Sequence, residues 1–288
     1  MNKQKIAFID SGVGGLIFAI ESIKNLAKNY DISNLSAIHI GDTANMPYGL
    51  KTQDELLVLI TNLIEKAISF DAKIVIIACN TACTAIDDEF IENYKKKGIN
   101  VIEIITESSK KILHSTELVE NQKNIAILGT KRTVDSEIYK NALLELHNDS
   151  DKELNIYQYS PVEWEYEIEN NIPKKLIQQA VNNHLDKFRN QIGDVNFKKI
   201  NNIGLFCTHY PYFAKEISEY FQINGMQVEL ISQGEIFAEI IQKEIKLKNK
   251  NTTSQIEIQS YITGNETKGS ELIIKNIYPD IKINFKTI

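Results

Sequence analysis

The chain has little of what would mark it for a membrane, a secreted scaffold or a nucleic acid. No apolar run approaches the roughly 20 residues that a membrane-spanning helix needs. Its first residues, "MNKQKIAFIDSG", enter a strand-like run without the long apolar core of a secretory signal. Three cysteines in 288 residues are too few, and odd in number, for a complete disulfide framework, which points to a reducing compartment. The expectation is a cytoplasmic protein. Basic charge is not in excess either. The net charge of −6 argues against nucleic acid or an anionic membrane as partner, since neither attracts an acidic surface. No Gly-, Pro- or Ser-rich linker marks a domain boundary. The single low-complexity stretch, "KEIKLKNKNTT" at 243–253, reads as a solvated helix end and loop.

What is present is a globular composition, 43% hydrophobic and 24% charged, with length for two domains that each bury a core. Short runs rich in β-branched residues fall at 5–9, 36–40, 73–78, 100–105, 124–128, 155–159, 202–206, 227–231, 255–262 and 281–285. Most lack polar alternation, as strands covered on both faces should. Amphipathic stretches lie between them. At 53–68, Leu56, Leu59, Ile60, Leu63, Ile64 and Ala67 share one helical face, and Thr52 with Glu55 reads as a capping box. Alternation of this kind predicts an α/β fold with mainly parallel sheets.

In such sheets ligands bind beyond the carboxyl ends of strands. Here those ends carry Asp10-Ser11-Gly12, then Gly41-Asp42-Thr43 leading to Pro47-Tyr48-Gly49, then Cys79-Asn80-Thr81 and Cys207-Thr208-His209. "GTKRT" at 129–133 adds Thr130 and Thr133. The loop "DSGVGGL" is not a dinucleotide fingerprint, because Ile17 stands where the last glycine belongs. Asp10 is readable as a helix cap or as a functional acid. Two of the three cysteines repeat one setting: strand end, hydrogen-bonding neighbour, helix start. A helix start favours the thiolate, so a lowered thiol pKa is expected there. A buried cysteine is otherwise a small hydrophobe. Cys79, Cys83, Cys207 and His209 would together make a zinc set, though without the usual knuckle spacing. "CNTAC" is one residue too long for a redox dithiol.

In order and spacing, "IDSGVGGL", "GDTANMPYG", "ACNTA" and "CTHYP" resemble the signature segments of the cofactor-independent glutamate racemases, within the aspartate/glutamate racemase superfamily, and "SYITGNETKGSELIIKNIYP" resembles that family's closing strand and helix. The resemblance spans nearly the whole chain. It implies two pseudo-symmetric, doubly wound α/β domains with the active site at the interdomain cleft. The first domain would comprise 1–98 and 212–288, and the second 99–211. It further implies a racemase that interconverts L- and D-glutamate with no metal and no cofactor, supplies D-glutamate for peptidoglycan, and works as a homodimer. Aspartate or another acidic amino acid is the neighbouring alternative, and a silent binding module a more remote one.

Carried over by motif, Cys79 and Cys207 are the acid–base pair, supported by Asp10 and His209. Asp10, Ser11, Tyr48, Gly49, Asn80, Thr81, Thr208 and His209 would hold the substrate, with Thr130 and Thr133 as further candidates. Inverting a stereocentre directly takes one base on each face of the carbon, which two such thiols supply. Three departures from the family pattern stand out: Phe206 where a small residue is usual, and Ser232 and Gln233 in place of Asp and Ser. A catalytic glutamate is expected within "SPVEWEYEIENN", where Glu163, Glu165, Glu167 and Glu169 compete, with 167 or 169 favoured. His39, His114, His147 and His184 read as structural or exposed.

Overall fold

The computed structural model describes residues 3–116, 118–119, 122–147, 153–249, 256–264 and 267–288. Eleven strands occur among them. They are β1 Gln4–Asp10, β2 Leu35–Gly41, β3 Ile74–Ile77, β4 Asn100–Glu103, β5 Leu118–Val119, β6 Gln122–Gly129, β7 Glu153–Tyr159, β8 Asn202–Phe206, β9 Glu229–Ser232, β10 Glu257–Ile262 and β11 Lys282–Thr287. All ten strands expected from the apolar runs are present. Only the two-residue β5 had no pattern to reveal it. Residues 250–253 of the low-complexity stretch lie outside the described residues.

The chain divides into two compact units, Met1–Ile104 with Gln233–Ile288, and Ile105–Ser232. The chain passes from one unit to the other at 104/105 and 232/233, where 98/99 and 211/212 were the expected positions. The reason is hydrogen bonding: β4 pairs with β3 in the first sheet, and β9 pairs with β8 in the second.

The first unit carries a six-stranded sheet in the order β11-β10-β2-β1-β3-β4, parallel throughout. In the second unit β7, β6, β8 and β9 lie side by side and parallel, with β5 antiparallel to the start of β6. Both units therefore share a 2-1-3-4 order, with the direction of winding reversing beside the first strand. Such a switch point opens a crevice at the strand ends where ligands bind. In each unit the third strand of this order, β3 or β8, leads into one of the paired cysteines.

Burial explains the strand composition. β8 is buried along its whole length and β1 over its last five residues, so polar residues have no solvent face to occupy. Helix Gln53–Ser69 starts at the expected capping box: Glu55 N–H donates to Thr52 Oγ1 at 3.2 Å, and Thr52 N–H to Glu55 Oε2 at 2.7 Å. Its Leu56, Ile60, Leu63, Ile64 and Ala67 are buried, and Leu59 is half-buried. The first core joins Phe8, Phe18 and Phe237 edge-on. The second is built around Trp164, Phe188, Phe197 and Phe221. No helix among the described residues is long and apolar enough to cross a membrane.

Phe206, the bulky residue before Cys207, fills space that Gly204 leaves open. Its ring stacks on Tyr139 with centroids 4.2 Å apart, and a Cβ on Gly204 would lie 2.6 Å from its Cζ. Gly204→Ala is therefore expected to cost about 1–3 kcal/mol through overpacking, measured by urea unfolding. Adding Phe206→Leu should recover part of that loss.

Candidate active site

In the first unit three strand ends are brought level by register. Asp10 pairs with Gly41, and Ile9 with Ile77. The ladder runs one step further: Asp42 N–H donates to Asp10 O, and Ala78 N–H to Ile9 O, both at 2.9 Å. Asp10, Asp42 and Cys79 thus emerge at one edge of the sheet, and all three are buried. Gly12 N–H donates to Asp10 Oδ1 at 2.9 Å, closing a tight turn around Ser11. Ser11 Oγ lies 3.7 Å from Cys79 Sγ.

Tyr48 is buried and donates its hydroxyl hydrogen to Asp42 Oδ2 at 2.8 Å. Thr263 Oγ1 donates to the other oxygen at 2.7 Å. Burial and the Asp42 carboxylate push the Tyr48 phenol well above its usual range, so it stays protonated and its oxygen remains free to accept a further hydrogen bond. Gly49 is exposed, in the 3₁₀ turn Tyr48–Leu50, with open space around it. Asn80 and Thr81 are buried. The Asn80 amide is paired both ways with Gln233, Nδ2 to Oε1 at 2.8 Å and Oδ1 from Nε2 at 3.2 Å. Sequence reading registered Gln233 only as a departure. It is the partner that orients Asn80.

In the second unit β6 and β8 end together, Gly129 opposite Phe206. Cys207 Sγ is 3.7 Å from His209 Nδ1, and His209 Nε2 is 2.6 Å from Glu169 Oε1. The four competing glutamates are thereby separated. Residues 165 and 169 fall on one side of helix Trp164–Glu169 by their i, i+4 spacing, and 163 and 167 on another. Glu169 binds His209, while Glu165 is close enough to raise the Cys207 pKa. Glu163 pairs with His184 Nε2 at 2.8 Å. Burial and Glu163 raise the carboxyl of Glu167. Trp164, packed edge-on against Tyr210 and Phe213, anchors the helix. Thr208 is buried beside His209. Thr130 and Thr133 are engaged with each other, Oγ1 to Oγ1 at 2.9 Å, at the cap of helix Lys131–Asp135.

The thiols depart from the expected depression. Burial and then Asp10 hold Cys79 well above the usual thiol pKa, against the Ala82 N–H and the Ser11 hydroxyl that favour the thiolate. Desolvation wins over the helix start. Burial also raises Cys207, but the hydrogen bond and charge of His209 pull the other way. For His209 burial opposes protonation, yet hydrogen bonds to Cys207 and Glu169, with their charges, lift its pKa well above the ordinary imidazole value. His209 therefore favours the Cys207 thiolate against its burial, whereas beside Cys79 the Asp10 carboxylate adds to burial in favouring the neutral thiol. Cys83 points away, its Sγ donating to Ile77 O at 3.6 Å. Among the described residues no group of three or more His, Cys, Asp or Glu side chains is placed to hold a metal.

These shifts fix a pH dependence. His209 holds its proton more tightly folded than unfolded. Its contribution to stability is complete below the unfolded value of about 6.5 and is lost as pH rises through the raised folded value. Both thiols act in the same direction at higher pH. Glu169→Gln removes the carboxylate that supports the imidazolium. Urea midpoints should then fall less between neutral and alkaline pH than in the parent, and His209 should titrate lower by NMR.

No family model matches the chain. Curated relatives do. A glutamate racemase from Clostridium novyi (strain NT) is 32% identical over 275 residues, covering 96% of each chain. One from Staphylococcus haemolyticus (strain JCSC1435) is 30% identical over 293 residues, covering 98% of this chain and 97% of that one. Solved structures show the same fold. A glutamate racemase isoform from Bacillus anthracis matches with a TM-score of 0.78 at 24% identity, over 100% of this chain and 98% of the other. The enzyme from Francisella tularensis subsp. tularensis, solved with D-glutamate, gives 0.72 at 21% identity, over 100% and 97%. By identity and by coverage from end to end, the chain belongs to the glutamate racemase family of amino-acid racemases.

Proposed function

We propose that the protein interconverts L- and D-glutamate by a two-thiol acid–base mechanism, with Cys79 and Cys207 addressing opposite faces of Cα. The observation that carries this reading is the duplicated setting of the two thiols. Each is buried, each follows the third strand of a 2-1-3-4 sheet, and each has its own charged support.

The charges on the two sides divide the work. His209, backed by Glu169, stabilises Cys207 as thiolate. Asp10 keeps Cys79 protonated, ready to donate. One enantiomer gives its Cα proton to the Cys207 sulfur and receives the Cys79 proton on the other face. The opposite enantiomer runs the transfer in reverse on the enzyme form this leaves, with Cys79 as thiolate and Cys207 as thiol, so atoms and charge balance in both directions. A Cα–H beside a carboxylate is very weakly acidic, and each unit of pKa mismatch with the base costs about 1.4 kcal/mol. Hydrogen-bond donors must therefore lower the energy of the enediolate-like carbanion where water is excluded. Ser11, Thr81 and Thr208 are suited to that task. The Tyr48 oxygen, its hydrogen already given to Asp42, is suited to accept from the substrate ammonium. On this reading the product is D-glutamate for peptidoglycan, and the protein works in the cytoplasm as a homodimer.

The test is a cofactor-free assay by circular dichroism on L-glutamate, D-glutamate and L-aspartate side by side. Signal should decay for both glutamate enantiomers and persist for aspartate. Cys79→Ser and Cys207→Ser should each slow turnover by at least about 10²-fold, the usual worth of a positioned acid or base. A near-parental rate in either variant would sink the two-thiol mechanism, and faster turnover of aspartate would reassign the substrate. Sedimentation giving a monomer at assay concentration would remove the dimer.

A further inference from the structure

His39, in β2, is buried and lies outside the residues assigned above. Its Nε2 is 3.2 Å from Gly12 O, and its Nδ1 is 2.9 Å from Ser260 Oγ in β10. A carbonyl oxygen only accepts, so Nε2 carries the hydrogen. Nδ1 is then the bare nitrogen, and Ser260 donates to it. Burial lowers the imidazole pKa to about 3, against the pull of the Gly12 hydrogen bond, so at neutral pH the ring is uncharged and its tautomer fixed. The ring fits because side chains are missing around it. A Cβ on Gly41 would lie 2.9 Å from Cε1, and one on Gly15 would lie 3.2 Å from Nε2.

Gly12 is consequently held from both sides. Its N–H goes to Asp10 Oδ1 and its carbonyl receives His39. Ser11 lies inside this grip, with its hydroxyl against the Cys79 sulfur. We propose that His39 is a positioning residue for Cys79, its Nε2–H fixing the Asp10–Gly12 turn so that the Ser11 hydroxyl meets the thiol. The imidazole touches no reacting atom and acts through the turn. The consequence for turnover rests on Cys79 being one of the two acid–base thiols.

The experiment compares His39→Leu, His39→Gln and Ser260→Ala with the parent protein. The first readout is the thiol pKa of Cys79 from the pH dependence of iodoacetamide alkylation, followed by peptide mass spectrometry, with Cys207 in the same sample as control. Within its unit Cys79 faces Asp10, Ser11, Tyr48, the Ala82 N–H and Cys83, none of which is altered. His39→Leu should raise the Cys79 value, because the hydroxyl that favours the thiolate is no longer held, and should leave Cys207 unchanged. Glutamate turnover should fall about tenfold, the factor one net hydrogen bond represents. His39→Gln, whose amide N–H can reach Gly12 O, should restore most of both. Ser260→Ala, which frees the far side of the ring, should shift Cys79 in the same direction by less, and it decides the matter if the Leu variant does not fold. An unchanged Cys79, both thiols shifting together, or no recovery with Gln would each overturn the proposal. Alkylation needs no substrate, so a parent protein inactive on glutamate would count against the proposed function and leave the His39 result standing.

Discussion

In each unit a thiol sits where water is excluded, and ionising it there carries a desolvation penalty that neighbouring groups have to offset. Around this constraint the neighbours of each thiol are arranged. At Cys207 the offset comes from His209, itself buried, whose proton is held by Cys207 on one side and Glu169 on the other. His209 is 1% exposed and the Glu169 side chain 17%, so the carboxylate keeps contact with water while the imidazole does not. At Cys79 the neighbour is an anion, and the offset comes only from a hydroxyl and a backbone N–H. The same residue type, at the same point of the same topology, thus has a neighbour of opposite sign in the two units.

Much of the architecture is legible in the sequence because the strands are covered on both faces. Without a solvent face, runs such as those of β1 and β8 lose polar alternation and become visible as unbroken apolar segments. The strand ends are visible for the complementary reason: Asp10, Cys79 and Cys207 interrupt those runs abruptly. What stayed hidden depends on packing between distant segments. Glu169 and Glu167 are equivalent in a one-dimensional reading, and only the direction of a short helix anchored by Trp164 separates them. His39 looks like any strand histidine until Ser260, more than two hundred residues away, is placed beside it. Thiol acidity was misjudged because helix-start electrostatics can be read locally, whereas burial cannot.

Two of the three departures from the family pattern, Phe206 and Gln233, have local explanations of different kinds. Phe206 is matched by Gly204 beneath it and Tyr139 beside it, so the bulk is absorbed in the core of the second unit and not in the space beyond the strand end. Gln233 is matched by Asn80, and the two amides satisfy each other. In both places the residue is accommodated by a partner within the same unit.

The first sheet is completed by strands that arrive last. β10 and β11 lie beyond β2 at one edge of the sheet, and β10 brings Ser260 to His39 while Thr263, just after it, reaches Asp42. During synthesis the inserted second unit, contiguous in the chain, has all its strands available before either of these has emerged. Domains generally fold as units in the order they leave the ribosome. The surroundings of Cys207 can therefore form on the nascent chain, while the turn beside Cys79 lacks the Ser260 contact behind His39 until the final segment docks.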